Sequence, residues 1–534
     1  MERTSVRNYI REYCSRSSVH GVQYIGEKKR PFFERLWWFF VFVVSLSACA
    51  FTIREVYKKW EQSPVIINFA NTGTPTYEIP FPAVTVCSES KSDEDAFNYT
   101  KIMHKIIEKE ILEPLEITRF EYMSLLCDYY PRLYYSNKTT FPEQFFDVIN
   151  ELKPKFEIKE CSFLSLPIDC SSMFVPIVTS EGICYTFNMI DRGEIFREDV
   201  VHYKNFHRVE KSSAQWTLQN GYEQDAKADV YPYRALLSGA TYGLNFIITT
   251  PKKNQDYACK KSVQGYRIVL HTPMTIPWPS QKFFRIPLHQ NVAATIKPVR
   301  IATSKRIEAY SPKRRNCYFA HERHLKYFQK YTSSNCKLEC LTNYTLQRCQ
   351  CVNFFMPRQN GSKICGIDSI VCMKLADRAV QMVYILKNLK QIWNTTYEDI
   401  KGEFDLECDC LPICSDLHYE AETTETDWNW NTLEGFYFNL TDEGLSIVVL
   451  QDIAHKTYFR WFHSSVNLFF KSDDFFSSER HELYGPIDFL ANFGGLLGLF
   501  TGFSVLSLME VLYFLSVRLI CNRRLHGRWT DPEN

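Results

Sequence analysis

Ser504, Ser507 and Glu510 stand three residues apart near the end of a long apolar run, and residues at that spacing share one side of a helix. Just ahead of them Gly494, Gly498 and Gly502 recur every four residues, with Gly495 alongside. Small residues so placed let helices approach closely. A packing ridge would account for the glycines but not for Glu510. A carboxylate at that depth in a membrane costs roughly 2.5–3.5 kcal/mol on insertion scales and ordinarily faces a polar interior or water. A helix with a glycine ridge, a hydroxyl stripe and one acid reads as the lining of a pore. One such helix cannot enclose a pore; several copies must.

Nothing else in the chain assembles into reaction chemistry. There is no G-x-S-x-G elbow, no H-E-x-x-H and no phosphate-binding glycine loop. His202, His207, His271, His321 and His324 are scattered, and His321-x-x-His324 lacks the carboxylate or cysteine partner that a metal site needs. No enzyme activity, cofactor or metal is expected. With 62 basic and 61 acidic residues, the net charge of +1 points to no nucleic-acid partner.

The cysteines mark the compartment. Sixteen of the nineteen fall in one stretch: Cys87, Cys127, Cys161, Cys170, Cys184, Cys259, Cys317, Cys336, Cys340, Cys349, Cys351, Cys365, Cys372, Cys408, Cys410 and Cys414. An even, crowded set suggests disulfides formed on the oxidising side of a membrane. The finger-like repeat of C-x₂₋₄-C pairs that zinc would use is missing.

Two segments must hold these parts in a bilayer. Leu36–Ile53 is eighteen residues without a charge, just enough to cross a ~30 Å hydrocarbon layer. Basic residues precede it, and Trp37, Trp38, Tyr57 and Trp60 fall where interfacial aromatics belong. Ala48-Cys49-Ala50 resembles a signal-cleavage site, but a 35-residue leader and bulky aromatics throughout favour an anchor. Asp488–Val517 is thirty residues, about 45 Å if continuously helical. It must therefore tilt, protrude or break. Gly502-Phe503-Ser504 is its most polar and least helix-favouring point. The mean hydropathy of −0.26 leaves no room for many further spans.

The expected plan is a cytoplasmic segment 1–35, a first span 36–57, an ectodomain 58–486, a second span with the pore 487–518, and a cytoplasmic tail 519–534. Glycosylation sequons begin at Asn98, Asn137, Asn343, Asn360, Asn394 and Asn439, all between the spans. Within that region Ala83–Val86, Gly265–His271, Leu445–Leu450 and Ser465–Phe470 read as strands. Phe97–Leu112 reads as a helix with Ile102, Ile106, Ile107 and Ile111 on one side, and Leu375–Trp393 as another. The fold class is an α+β membrane protein with a cysteine-rich β core and a cross-linked helical flank.

The chain also resembles the degenerin/epithelial sodium channel family, in particular its insect pickpocket branch. The resemblance rests on an ordered set: His20-Gly21, FPAVTVC (Phe81–Cys87), GICYTFN (Gly182–Asn188), YTSSNCKLEC (Tyr331–Cys340), CQCVNFFMP (Cys349–Pro357), CDCLPIC (Cys408–Cys414) and the second span Phe493–Phe514. It implies a homo- or heterotrimeric, amiloride-sensitive, voltage-independent sodium channel of the plasma membrane, with cytosolic termini. It implies a selectivity filter at Gly502, Phe503 and Ser504, an acid below it at Glu510, amiloride block at Gly498, and gating residues at Ala491, His20 and Gly21. Phe503 departs from the pattern, since that position is often small; with its side chain off the axis, selectivity falls to the backbone. Proton sensing is not carried over, and the extracellular stimulus is open. The rival reading is a non-conducting two-span receptor or adhesion protein, in which Glu510→Gln would be harmless.

Overall fold

The computed structural model describes residues 2–27, 30–62, 65–127, 138–207, 213–223, 225–227, 229–252, 256, 258–389, 391–392, 395–396, 408–428, 461–483 and 485–526. They fall into two units: Phe69–Thr303 with Asn316–Glu479, and Met1–Asn68 with Ser304–Arg315 and Arg480–Asn534.

The first unit has a β core. Ala83–Ser88 is a central strand between Tyr266–His271 and Gly182–Phe187, with Phe284–Ile286 and Val175–Thr179 at the edges. A second sheet runs Asp416–Asp427, Gln290–Thr303, Trp461–Phe470, Leu244–Pro251 and Glu157–Phe163. Within it, Gln290–Thr303 and Trp461–Phe470 pair in parallel. Alternation places Val292, Ala294 and Ile296 opposite Val466, Leu468 and Phe470, and all six are buried. A period of two thus fixes the register, because a one-residue slip would turn that apolar set outward. Phe81 ties the sheets together, with its ring 5.3 Å from Phe163 and 5.5 Å from Phe470.

All sixteen clustered cysteines are paired: 87–184, 127–259, 161–170, 317–414, 336–410, 340–408, 349–372 and 351–365. Two of these bridges follow from local geometry. Cys336 and Cys340, four apart on the helix Ser333–Cys349, share a face. Cys408 and Cys410, two apart in the non-helical segment before Asp416, point to one side. Two rungs therefore fasten that segment along the helix. The neighbouring helix Ile370–Leu389 packs Ala376, Ala379, Val383 and Leu386 against Tyr344.

Most expected elements of this unit stand. Tyr266–His271 and Trp461–Phe470 are strands. The helix expected over Leu375–Trp393 begins earlier and ends sooner: it spans Ile370–Leu389, and Gln391–Ile392 is instead a strand paired with Thr395–Thr396. The first helix is shorter than expected. It spans Tyr99–Ile107, capped by Asn98, whose side chain accepts from the Lys101 amide at 2.8 Å. Lys109, at φ 62°, takes the left-handed conformation that ends helices, and Pro114 opens the next one. Ile111 consequently lies outside the helix and is 98% exposed, and Ile107 is exposed too, instead of joining Ile102 in the core. Leu445–Leu450, Trp393 and the sequons at Asn137, Asn394 and Asn439 lie outside the described residues. Asn343 and Asn360 are exposed, and Asn98 is half-buried.

A buried ionic cluster joins the sheet ends. Lys91 and Glu181, 2% and 5% exposed, meet at 2.8 Å. Arg267 forks onto Glu89 at 3.0 and 3.1 Å and reaches Glu181 at 2.9 Å. Burial pulls the Lys91 ammonium below its ordinary range, and Glu181 opposes that pull. Burial pushes Glu181 up, but Lys91, Lys260 and Arg267 outweigh it and hold its carboxyl below the usual range. Glu181→Gln should therefore cost roughly 3–5 kcal/mol, because it leaves a buried ammonium uncompensated. Thermal unfolding of the purified protein measures this. Glu157→Gln, at an exposed pair with Lys159, should change it by less than about 1 kcal/mol. Equal shifts would contradict this account.

Two histidines make the unit acid-sensitive. Burial, helped by Arg192 and Arg358, lowers the pKa of His202 to about 3, and burial lowers that of His271 to about 4. Above pH ~6.5 both are neutral folded or unfolded, and neither costs anything. As pH falls below that value the unfolded chain binds protons that the folded chain refuses, so stability declines until the folded values are reached. The unfolding midpoint should drop between pH 7 and pH 5 (roughly the upper part of that window). A midpoint that is flat or rising with acid would contradict it.

Candidate functional site

The second unit is helical: α1 (Glu2–Arg16), α2 (Phe32–Gln62), α3 (Pro486–Thr501), α4 (Val505–Leu515) and α5 (Val517–His526). At 31 residues α2 outruns the expected first span, because Glu34 and Arg35 at one end and Lys58 and Lys59 at the other continue the helix. Exposed side chains on α2 and α3, such as Trp37, Phe40, Leu490 and Leu499, give these helices apolar surfaces suited to lipid or to neighbouring copies.

The apolar stretch expected at Asp488–Val517 breaks where its residue types say it should. Gly502, at φ 66° and ψ 14°, is the left-handed cap of α3, and its amide donates to Gly498 O at 2.9 Å. Ser504 is the N-cap of α4: its hydroxyl accepts from the Ser507 amide at 3.2 Å, and Ser507 Oγ accepts from the Ser504 amide at 3.1 Å. A glycine C-cap and a serine capping box thus sit one residue apart, with Phe503 half-buried between them. A helix end in an apolar layer also leaves carbonyls that need donors. Ser45 of α2 donates its hydroxyl to Phe500 O at 2.5 Å, and the His20 amide donates to Thr501 O at 2.9 Å.

The N-terminal segment therefore doubles back onto the break. Ser18 donates its hydroxyl and its amide to Glu510 Oε2, at 2.9 and 3.1 Å, and its hydroxyl lies 2.7 Å from that of Ser507. Ser507 is 1% exposed as a result. The stripe expected from spacing exists, but in the single chain this segment occupies it. Gly21, at φ 84°, turns the segment toward α2, where Tyr24 stacks on Trp38 at 4.5 Å. Tyr13 packs edge-on to Phe514 at 5.4 Å, and Glu12 pairs with Arg518 at 2.9 Å.

His20, Gly21, Gly502, Phe503, Ser504, Ser507 and Glu510 thus belong to one constellation. Ala491 is not part of it. It is exposed on α3, ten residues before Thr501, or about 15 Å along the axis. The glycine ridge faces away from the chain's own helices: a Cβ added at Gly494, Gly495 or Gly498 would meet nothing within 4 Å. Sequence reasoning missed Ser18, Ser45 and Glu12. Ser45 carried a signal, being a hydroxyl in the middle of an apolar span; Ser18 and Glu12 carried none that could be read without the fold.

A Cβ at Gly502 would lie 2.7 Å from the His20 ring, and left-handed backbone costs a non-glycine residue roughly 1–2 kcal/mol. Gly502→Ala should therefore destabilise the purified protein, and less so in a His20→Ala background, where the ring is gone but the backbone strain remains. The expected coupling is about 0.5–3 kcal/mol. Equal cost in both backgrounds would show that the ring does not meet residue 502.

Comparison with known proteins covers nearly the whole chain. Residues 13–514 match the profile of the family described as amiloride-sensitive sodium channel. Pickpocket protein 28 of Drosophila melanogaster is 26% identical over 533 residues, which is 98% of this chain and 80% of that protein. Sodium channel protein Nach of the same species is 23% identical, covering 96% of this chain and 88% of its own length. Acid-sensing ion channel 1C of Danio rerio is 19% identical, covering 95% and 83%.

Proposed function

The chain belongs to the amiloride-sensitive sodium channel family, and from that premise we propose that it is one subunit of a trimeric sodium channel whose narrowest point is Gly502-Phe503-Ser504. The family makes it a cation channel of the plasma membrane and not an enzyme. The finer reading rests on one observation: the second span is capped into two helices at that tripeptide, beside a glycine ridge that its own chain leaves uncovered.

Three copies of the break would place a ring of backbone carbonyls and Ser504 hydroxyls around an axis, where they replace part of a small cation's water shell. Glu510, below the ring, favours cations over anions. Gly498 takes amiloride and Ala491 keeps the outer gate small. His20 and Gly21 couple the cytosolic segment to the filter through the Thr501 carbonyl. Both termini face the cytosol, and the disulfide-bonded unit faces outside, carrying glycans on its sequons. The channel conducts without voltage dependence and opens through that outer unit. The large Phe503 ring packs away from the axis, so the backbone sets the preference for sodium.

Ion substitution in cells expressing the chain, alone or with related subunits, tests this reading. Ser504→Cys should change the sodium-to-potassium permeability ratio and make the current sensitive to thiol reagents. Ala491→Phe should prop the gate open and raise the resting current several-fold. Unchanged selectivity without thiol sensitivity would reject the filter, and a normal resting current would reject the gate.

A further inference from the structure

Ser45 behaves unlike the other hydroxyls of the apolar part of α2. A serine or threonine inside a helix ordinarily donates back to its own backbone one turn earlier. Ser47 does so to Val43 O at 2.8 Å, and Thr52 to Cys49 O at 2.9 Å and Ala48 O at 3.1 Å. Ser45 instead turns outward and donates to Phe500 O of α3 at 2.5 Å. It shares a face of α2 with Cys49, one turn on, which is 1% exposed, whereas Val43, Val44 and Leu46 between them are exposed.

The carbonyl it takes has lost its helical donor. In the last turn of α3, Leu497 O accepts the Thr501 hydroxyl at 2.7 Å, and Gly498 O accepts the Gly502 amide at 2.9 Å. A continuing helix would bring the Ser504 amide to Phe500 O. That amide goes to Ser507 Oγ instead, at 3.1 Å. Ser45 therefore supplies from another helix what the break removes. Gly502 follows two residues later, and with no Cβ its own dihedrals are soft. The direction in which its carbonyl leaves the helix must be set from its flanks, and the peptide plane between Phe500 and Thr501 is the flank that Ser45 holds.

We propose that Ser45 is a positioning residue for ion selection, acting through the Phe500 carbonyl on the backbone of Gly502 and Phe503. This rests on the reading of Gly502-Phe503-Ser504 as the filter. A ring of carbonyls discriminates between sodium and potassium by its geometry and the field of its dipoles. Freeing one peptide plane beside each copy of that backbone lets the ring relax, and the larger ion gains.

Ion substitution in cells expressing the chain, with Ser45→Ala, Ser45→Thr, Ser47→Ala and Ser504→Cys side by side, tests this. Ser45→Ala should lower the sodium-to-potassium permeability ratio by roughly fivefold, the factor that corresponds to one hydrogen bond. Ser45→Thr, which keeps the hydroxyl, should restore it, and Ser47→Ala should leave it unchanged. A merely structural role would reduce the current in step with the protein at the cell surface and leave the ratio alone. The route is tested by replacing the amide between Phe500 and Thr501 with an ester through nonsense suppression, since an ester carbonyl is a poorer acceptor. That change should shift the ratio in the same direction, and adding Ser45→Ala should shift it little further. If Ser45→Ala does not reach the surface, the ester alone decides: an unchanged ratio overturns the proposal. Additive shifts, or an unchanged ratio in Ser45→Ala beside a changed one in Ser504→Cys, would also overturn it and leave the filter standing. An unchanged ratio in both would remove the filter and this proposal with it.

Discussion

A helix broken inside hydrocarbon exposes backbone groups that water cannot reach, and this structure is organised around satisfying them. Hydrocarbon offers no partners, so each freed amide and carbonyl must be matched by protein. At the junction of α3 and α4 the matches come from three places. Gly502 and Ser504 close their own helix ends, Ser45 reaches across from α2, and the amide of His20 arrives from the N-terminal segment. Only the first of these is local. The others require two remote parts of the chain to be in place before the break is tolerable. The break is thus coupled to the N-terminal segment by necessity, which gives that segment a physical hold on the junction of α3 and α4.

The same economy governs Glu510. A carboxylate in an apolar layer has to be solvated, and here Ser18 supplies two donors to one of its oxygens. Moving Ser18 away would leave the carboxylate to water or to a passing cation. The cysteine-rich unit is stiffened in a different way. Eight cross-links and a buried cluster of acids and bases hold a β core whose register is set by alternation. Bridges spanning 97 and 132 residues restrict the unfolded chain most.

Much of this was legible in the residues. The break was readable because glycine and serine are the residues that end and start helices, and they stand at 502 and 504. The disulfides were readable from their number and crowding, and the strands around Val84, Val269 and Val466 from their Val, Ile and aromatic residues. What was not legible is non-local. Spacing put Ser507 and Glu510 on one stripe but could not reveal that Ser18, nearly five hundred residues earlier, would cover it. Periodicity also overran the helix at Tyr99, because the left-handed turn at Lys109 leaves no mark in an isoleucine pattern. The pairing of individual cysteines likewise depended on which strands became neighbours.

The most direct test of the central claim is a structure of the assembled protein in nanodiscs, resolved at the level of Gly502. The account predicts three copies of the junction between α3 and α4 around a water-filled axis, with the His20 amide on the Thr501 carbonyl in each. A helix running unbroken through 502–504, or junctions turned toward lipid around a dry contact, would contradict it.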